Sequence, residues 1–216
     1  MDFTANMATL LGRFRRERNG AVADSMRLYG KAYGLNYGVS LPTVRSIARA
    51  EEPDHAYAKY LYQQEVRCLR LSALHLANPE ALTPDEMQIW EQGIINNEVA
   101  EEAAFALFSH TKVLPELFAR WLSQENPLLH YTALLAAARY PHPDLAWAEL
   151  ALVTLRRDEA SVATYARHLV AQGVVALFVR LATQDETSRQ TIQRLAGSLA
   201  QTPAEAFLRE ELSWRL

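Results

Sequence analysis

The stretch Thr83-Pro84-Asp85-Glu86 and its counterpart Thr202-Pro203-Ala204-Glu205 decide how this chain reads. In each, a threonine stands ready to cap a helix, proline takes the first helical position, and glutamate follows three residues after the cap. Asp54, Asn126-Pro127, His142-Pro143-Asp144, Asp158 and Asp185 supply further starts of the same kind. Between them the apolar residues keep helical spacing: Val66, Leu69, Ala73 and Leu76 form one stripe, and Ala103, Ala106 and Leu107 another. No segment sustains a period of two. Alternate starts fall near 84, 112, 143, 174 and 203, with the intervening ones near 97, 126, 159 and 186. The interval is about 30 residues, two helices per unit, which is the signature of stacked helical hairpins. The expected fold is all-α: a solenoid of antiparallel HEAT-like helix pairs, roughly six of them.

Composition agrees. The 216 residues include 34 Ala and 31 Leu against 12 Val and 5 Ile, a balance that favours helix over sheet. No linker of Pro, Ser or low complexity interrupts the chain, so residues 1–216 are expected to form a single domain. No apolar run reaches the roughly 20 residues of a membrane-spanning helix. The lone Cys68 cannot form an internal disulfide, and Arg13, Arg15 and Arg16 follow the first apolar stretch instead of preceding it. A monomer in the cytoplasm, with no membrane contact, is the expectation. The formal charge of −3 hides an uneven distribution: residues 1–50 carry eight Lys/Arg against three Asp/Glu, and residues 51–110 carry three against eleven. A polyanion can be held by a locally basic face even when the sum is negative.

Signatures of catalysis are few. There is no Gly-rich phosphate loop, no paired-histidine zinc motif and no nucleophile elbow, and the six histidines are dispersed, so neither metal nor cofactor is expected. Three features remain. Asn96-Asn97-Glu98-Val99-Ala100-Glu101-Glu102 opens a helix; its acids either offset the helix dipole or display a carboxylate at a cleft. His130-Tyr131 begins a helix of the same class one repeat later, suited either to packing or to a phosphate or base. Tyr165, Arg167 and His168 stand on the next such helix, with Arg167 either solvated or the best phosphate contact of the set.

The chain resembles the AlkD-type, HEAT-like-repeat DNA alkylation repair proteins. The resemblance is carried by Asn19-Gly20-Ala21-Val22-Ala23-Asp24-Ser25-Met26, by Leu35-Asn36-Tyr37-Gly38-Val39-Ser40-Leu41-Pro42-Thr43-Val44-Arg45, by Asp54 to Tyr62, and by Glu65-Val66-Arg67-Cys68-Leu69-Arg70. It implies a right-handed solenoid whose concave groove binds duplex DNA, alkylated or distorted. It also implies, in active members, excision of purines alkylated at N3 or N7. Such a site needs aromatic faces for the cationic base and a carboxylate for the positively charged sugar of the transition state. The family's Trp and Asp, four residues apart, read Asn97 and Glu101 here. Its arginine falls on Tyr131, after His130, and its second tryptophan falls near Tyr165 or Arg167.

Glu101 is accordingly the candidate catalytic carboxylate, with Asn97, Tyr131 and Tyr165 beside it. His130, Arg67, Arg70, Arg156, Arg157 and Arg167 are the candidate DNA contacts. The alternative is a catalytically inactive module that binds DNA structures or proteins.

Overall fold

The computed structural model describes residues 2–31 and 33–216, with residues 159–161 described by backbone alone. The described residues are helical almost throughout. Their one pairing of strand type is an isolated bridge between Leu35 and Val66. The chain divides into two compact units, Met1–Leu107 and Phe108–Leu216. The first contains α1 (Phe3–Arg16), α2 (Gly20–Leu28), α3 (Leu41–Arg49), α4 (His55–Tyr62), α5 (Arg67–Leu76), α6 (Met87–Gly93) and α7 (Asn97–Ala106). The second contains α8 (Leu114–Ser123), α9 (Pro127–Arg139), α10 (Trp147–Ser161), α11 (Thr164–Ala182), α12 (Glu186–Gly197) and α13 (Pro203–Ser213).

Side-chain caps set most boundaries. Asp54, Asn96, Asn126, Asp185 and Thr202 each accept a backbone N–H from the first turn of the helix that follows. Thr83 instead opens a single 3₁₀ turn, Pro84–Glu86, and makes no side-chain cap bond. Two expected starts fail. Asp158 lies within α10, and α11 runs unbroken from Thr164 to Ala182 through the position near 174. Gly173 lies in the middle of this continuous helix. A Cβ there would sit 2.9 Å from Leu134 Cβ, so this glycine permits close approach of α11 to α9 and ends nothing.

In the first unit α5 packs against α3, α4 and α7 and is buried on nearly every side. In the second, α9 and α11 form the central pair, with α8, α10, α12 and α13 against them. Large aromatic residues fill the spaces between helices. Trp90 stands 4.8 Å from Tyr62, whose hydroxyl donates to the Trp90 carbonyl at 3.1 Å. Phe118 stacks on Trp147 at 4.5 Å. Trp90 and Trp121 are wholly buried, which makes them packing residues. Cys68 is buried too, and burial pushes its thiol up to about 12, so it is inert at neutral pH.

Candidate functional site

α7 explains the acidic run at residues 98–102. Asn96 accepts from the Val99 N–H at 3.1 Å and starts the helix. Glu98 and Glu102, one turn apart, then face inward, and Asn97 and Glu101 face outward. Arg67 on α5 meets Glu98 through two hydrogen bonds of 2.8 and 2.6 Å, and it donates a third to the Val39 carbonyl at 2.6 Å. The Tyr33 hydroxyl adds a 2.7 Å bond to the same carboxylate. Burial raises the Glu98 carboxyl, but the bonds and charge of Arg67, with Tyr33, outweigh it and hold the group below its ordinary value. Glu102 receives Arg45 from α3 at 2.9 and 2.6 Å and His75 from α5. Burial opposes its ionisation as well, yet Arg45 and His75 bring it down to about 2. These two acids tie α7 to α3 and α5.

Asn97 donates its side-chain amide to Glu101 at 3.1 Å, so the candidate carboxylate and the residue in the tryptophan position do share one exposed face. Neither residue is aromatic. Phe105, one turn further along, lies under the Arg45 guanidinium, 5.0 Å from ring centroid to Cζ.

Four expected surface residues require correction. Arg67 is 1% exposed and belongs to the interior pair with Glu98. Arg70 is 8% exposed; it donates to the Tyr62 carbonyl at the end of α4 and lies against the Tyr62 ring. His130 is wholly buried, with Nδ1 2.7 Å from Asp158 and Nε2 2.6 Å from the Gln124 carbonyl. Tyr131 is buried at the α9–α11 crossing, where a Cβ on Gly173 would come within 3.3 Å of it. In each case the helix that carries the residue is enclosed on all sides, so a polar side chain must take an internal partner.

Arg156 and Arg157 are more accessible but are likewise employed structurally. Arg156 grips Glu205 at 3.0 and 3.2 Å, fixing the start of α13. Arg157 donates to the Leu122 and Gln124 carbonyls at the end of α8. Tyr165 is exposed, and Arg167 donates to the Thr164 hydroxyl at 3.0 Å. Asn97 and Glu101 lie in the first unit, whereas Tyr131, Tyr165 and Arg167 lie in the second.

The first unit also carries exposed arginines at the ends of α1 and α3. Arg13 pairs with Glu51, which sets the end of α1 beside the end of α3. Arg15 donates to the Tyr37 hydroxyl at 3.1 Å; Arg16 and Arg18 are exposed at the end of α1 and Arg49 at the end of α3, with the exposed acids Glu17 and Glu52 beside them in the chain. Pro42, Arg45, Ser46, Arg49 and Ala50 line an open depression of about 480 Å³ on α3. The charge excess of residues 1–50 signals these arginines in the sequence; the place of Arg45 and Arg49 beside the depression emerges only from the packing. Among the described residues no cluster of three or more His, Cys, Asp or Glu is placed to hold a metal ion. No described helix is long and apolar enough to cross a membrane.

No known family model matches the sequence, and no curated protein matches it significantly. A solved structure does. It is described as belonging to "a new family of proteins related to the HEAT-like repeat DNA glycosylases with affinity for branched DNA structures". The two superpose with a TM-score of 0.69 at 13% sequence identity, over 100% of this chain and 96% of that one. The chain has the HEAT-like repeat fold.

Proposed function

We propose that this protein is a DNA-binding helical-repeat module that recognises branched or distorted DNA and does not excise bases. The observation that carries the reading is the set of exposed arginines at the ends of α1 and α3, in a fold whose solved counterpart is described by its affinity for branched DNA. Arg16, Arg18 and Arg49 contact phosphate oxygens, and Arg45, whose charge is met by Glu102, lines the depression on α3 beside Arg49. Such contacts read the spacing of phosphates and not the bases, which suits recognition of DNA shape.

Excision of N3- or N7-alkylated purines is the competing reading, and two of its candidates remain exposed: the Glu101 carboxylate and Tyr165. The rest of its apparatus is reassigned. Asn97 spends its amide on Glu101, Tyr131 is interior, and His130 is held by Asp158 and Gln124. A cationic base would find no aromatic surface at Asn97.

The deciding experiment titrates a labelled four-way junction and a linear duplex of equal length across a range of salt, alongside an assay for base release from methylated duplex. The expected result is tighter binding of the junction, a steep fall of affinity with salt, and no base release. Affinity for neither DNA at low salt refutes the binding reading, and release of methylated purine restores the enzyme.

A further inference from the structure

Of the nine residues of α2 only Ala23 is buried. Its last residue, Leu28, and its C-cap, Tyr29, are 86% and 83% exposed. At 3.6 residues per turn they lie roughly 140° and 120° to either side of Ala23, so both side chains point away from the body of the unit. A single bare apolar residue needs no explanation, but two large neighbours left bare together mark a contact surface.

The backbone beneath them is fixed. At the start of α2 the Asn19 side chain accepts the Val22 N–H at 3.2 Å, and the Asn19 N–H donates to the Tyr37 carbonyl at 2.7 Å. At its end the Gly30 N–H donates to the Arg27 carbonyl at 3.1 Å and the Lys31 N–H to the Met26 carbonyl at 3.0 Å. Gly30 takes φ +74°, and this pair of bonds about a left-handed glycine closes the helix sharply. The Asn36 amide also donates to the Met26 sulfur at 3.2 Å. A tip held from both ends loses little freedom when it binds.

Size and charge narrow what such a tip meets. Two side chains of this kind cover about 400 Å² at most, half or less of the roughly 800 Å² per partner in a stable protein–protein interface. The chain around them is basic: residues 13–31 hold six Lys/Arg against two Asp/Glu. Arg13 is committed to Glu51, and Arg27 faces Asp24 in a largely exposed pair of the kind that holds weakly. These surroundings suit a polyanion, and the tip suits an apolar surface within it. In DNA that surface is the face of a base pair. Inside a duplex each such face is covered by the next pair, and opening the step costs stacking. Where the arms of a branched DNA meet, the stack is already interrupted, so a rigid apolar tip enters at lower cost.

We propose that Leu28 and Tyr29 form a wedge that enters the open base step at a DNA branch point, the Tyr29 ring on the bare end of one arm and Leu28 filling the space beside it. The proposal rests on the reading of the protein as DNA-binding. To the phosphate contacts it adds one that only an open step accepts, and so it assigns the preference for branched DNA to two named residues.

The test uses the full chain, a four-way junction and a linear duplex of equal length. Leu28→Ser combined with Tyr29→Ser removes the wedge from an exposed site and should leave the urea midpoint in place. The double variant is expected to lose about tenfold or more of the junction-over-duplex preference, the scale of one base–aromatic stack. Its salt slope on either DNA should match the parent's, because no charge has been removed. Tyr29→Phe, which keeps the ring, should retain the preference. 2-Aminopurine placed beside the branch point should change its fluorescence when the parent binds and not when the double variant binds. A preference that survives in the double variant overturns the proposal, as does an equal loss of affinity for junction and duplex. Binding of the parent to neither DNA overturns the DNA-binding reading and the wedge with it. A sedimentation mass that falls from dimer to monomer in the double variant overturns the wedge alone and assigns the tip to a second copy of the chain.

Discussion

Arg67 and Glu98 meet inside the first unit through two hydrogen bonds of 2.8 and 2.6 Å, with side chains only 1% and 7% exposed. A buried pair of this geometry offers little or no net stability over an apolar pair of the same volume, but removal of one partner strands the other charge. Arg67→Ala is therefore expected to destabilise the protein by about 3–5 kcal/mol, read as a lower urea midpoint. The double replacement Arg67→Met with Glu98→Met should recover most of that loss. An Arg67→Ala protein with the parent's midpoint would contradict the assignment of Arg67 to the interior.

Glu102 makes stability depend on acid. Its carboxyl titrates near 2 in the folded protein, against an ordinary glutamate in the unfolded chain. The folded value is the depressed one, so the contribution is complete above the unfolded pKa and is lost as pH falls through the folded value. A shift of this size corresponds to roughly 3 kcal/mol for so buried a group. Urea midpoints measured between pH 7 and pH 2 should decline most steeply below about pH 5. Glu102→Gln should flatten that decline and lower the plateau at neutral pH, since Arg45 and His75 then face an uncharged amide. A parallel decline in parent and variant would show that other carboxylates dominate.

Gly38 takes φ +68°, and a Cβ there would lie 1.9 Å from the Asn19 carbonyl oxygen and 2.8 Å from the Ala23 nitrogen. Both neighbours are backbone and cannot swing aside. The turn holds α2 to the entry of α3, with the Asn36 side chain accepting from Gly38 N–H and the Tyr37 carbonyl accepting from Asn19 N–H. Gly38→Ala combines a left-handed conformation, worth about 1–2 kcal/mol, with a backbone clash, and should cost more than either alone. Gly12→Ala, where a Cβ meets nothing within 4 Å, is the matched control and should leave the midpoint unchanged or raise it. Equal effects at the two positions would remove the special role of Gly38.

The helix boundaries were legible because capping is local. Asn96, Asn126 and Thr202 announce their helices within three residues, and each makes the expected bond. Enclosure is a property of neighbours, and there the sequence misleads. On α5, Arg67 and Arg70 interrupt a run of leucines, a pattern that also fits an exposed basic edge; the acid that draws Arg67 inward lies 31 residues away. The same holds for His130, whose partner Asp158 resembled a helix start and proves to be an internal acceptor. The start expected near 174 came from extending the 30-residue interval, whereas α11 runs on through Gly173, where it approaches α9 closely.

If the exposed arginines of the first unit contact phosphates, they should act additively and without regard to sequence. Arg18→Gln and Arg49→Gln are exposed changes that should leave the urea midpoint in place. Each should reduce the slope of log affinity against log salt by about 0.9 on duplex DNA. Arg157→Gln is a useful contrast, because that guanidinium serves the carbonyls at the end of α8 and its loss should lower stability. Unchanged slopes for Arg18→Gln and Arg49→Gln would move the DNA contact elsewhere on the protein.

Glu101 decides between binding and catalysis. Its carboxylate is exposed and accepts from Asn97, so Glu101→Gln should leave folding intact and change DNA affinity only slightly, upward through the loss of one negative charge near the phosphates. Were this carboxylate to stabilise a positively charged sugar in the transition state, its loss would cost about 2–4 kcal/mol, or roughly 30- to 1,000-fold in the rate of base release. The expected outcome is different: parent and Glu101→Gln release methylated purine at the same rate as DNA alone. Asn97→Trp sharpens the comparison by restoring an aromatic surface one turn from the carboxylate. On the binding reading it too stays silent. Release by the parent that falls at least 30-fold in Glu101→Gln would return the protein to the glycosylases and assign the carboxylate its electrostatic role.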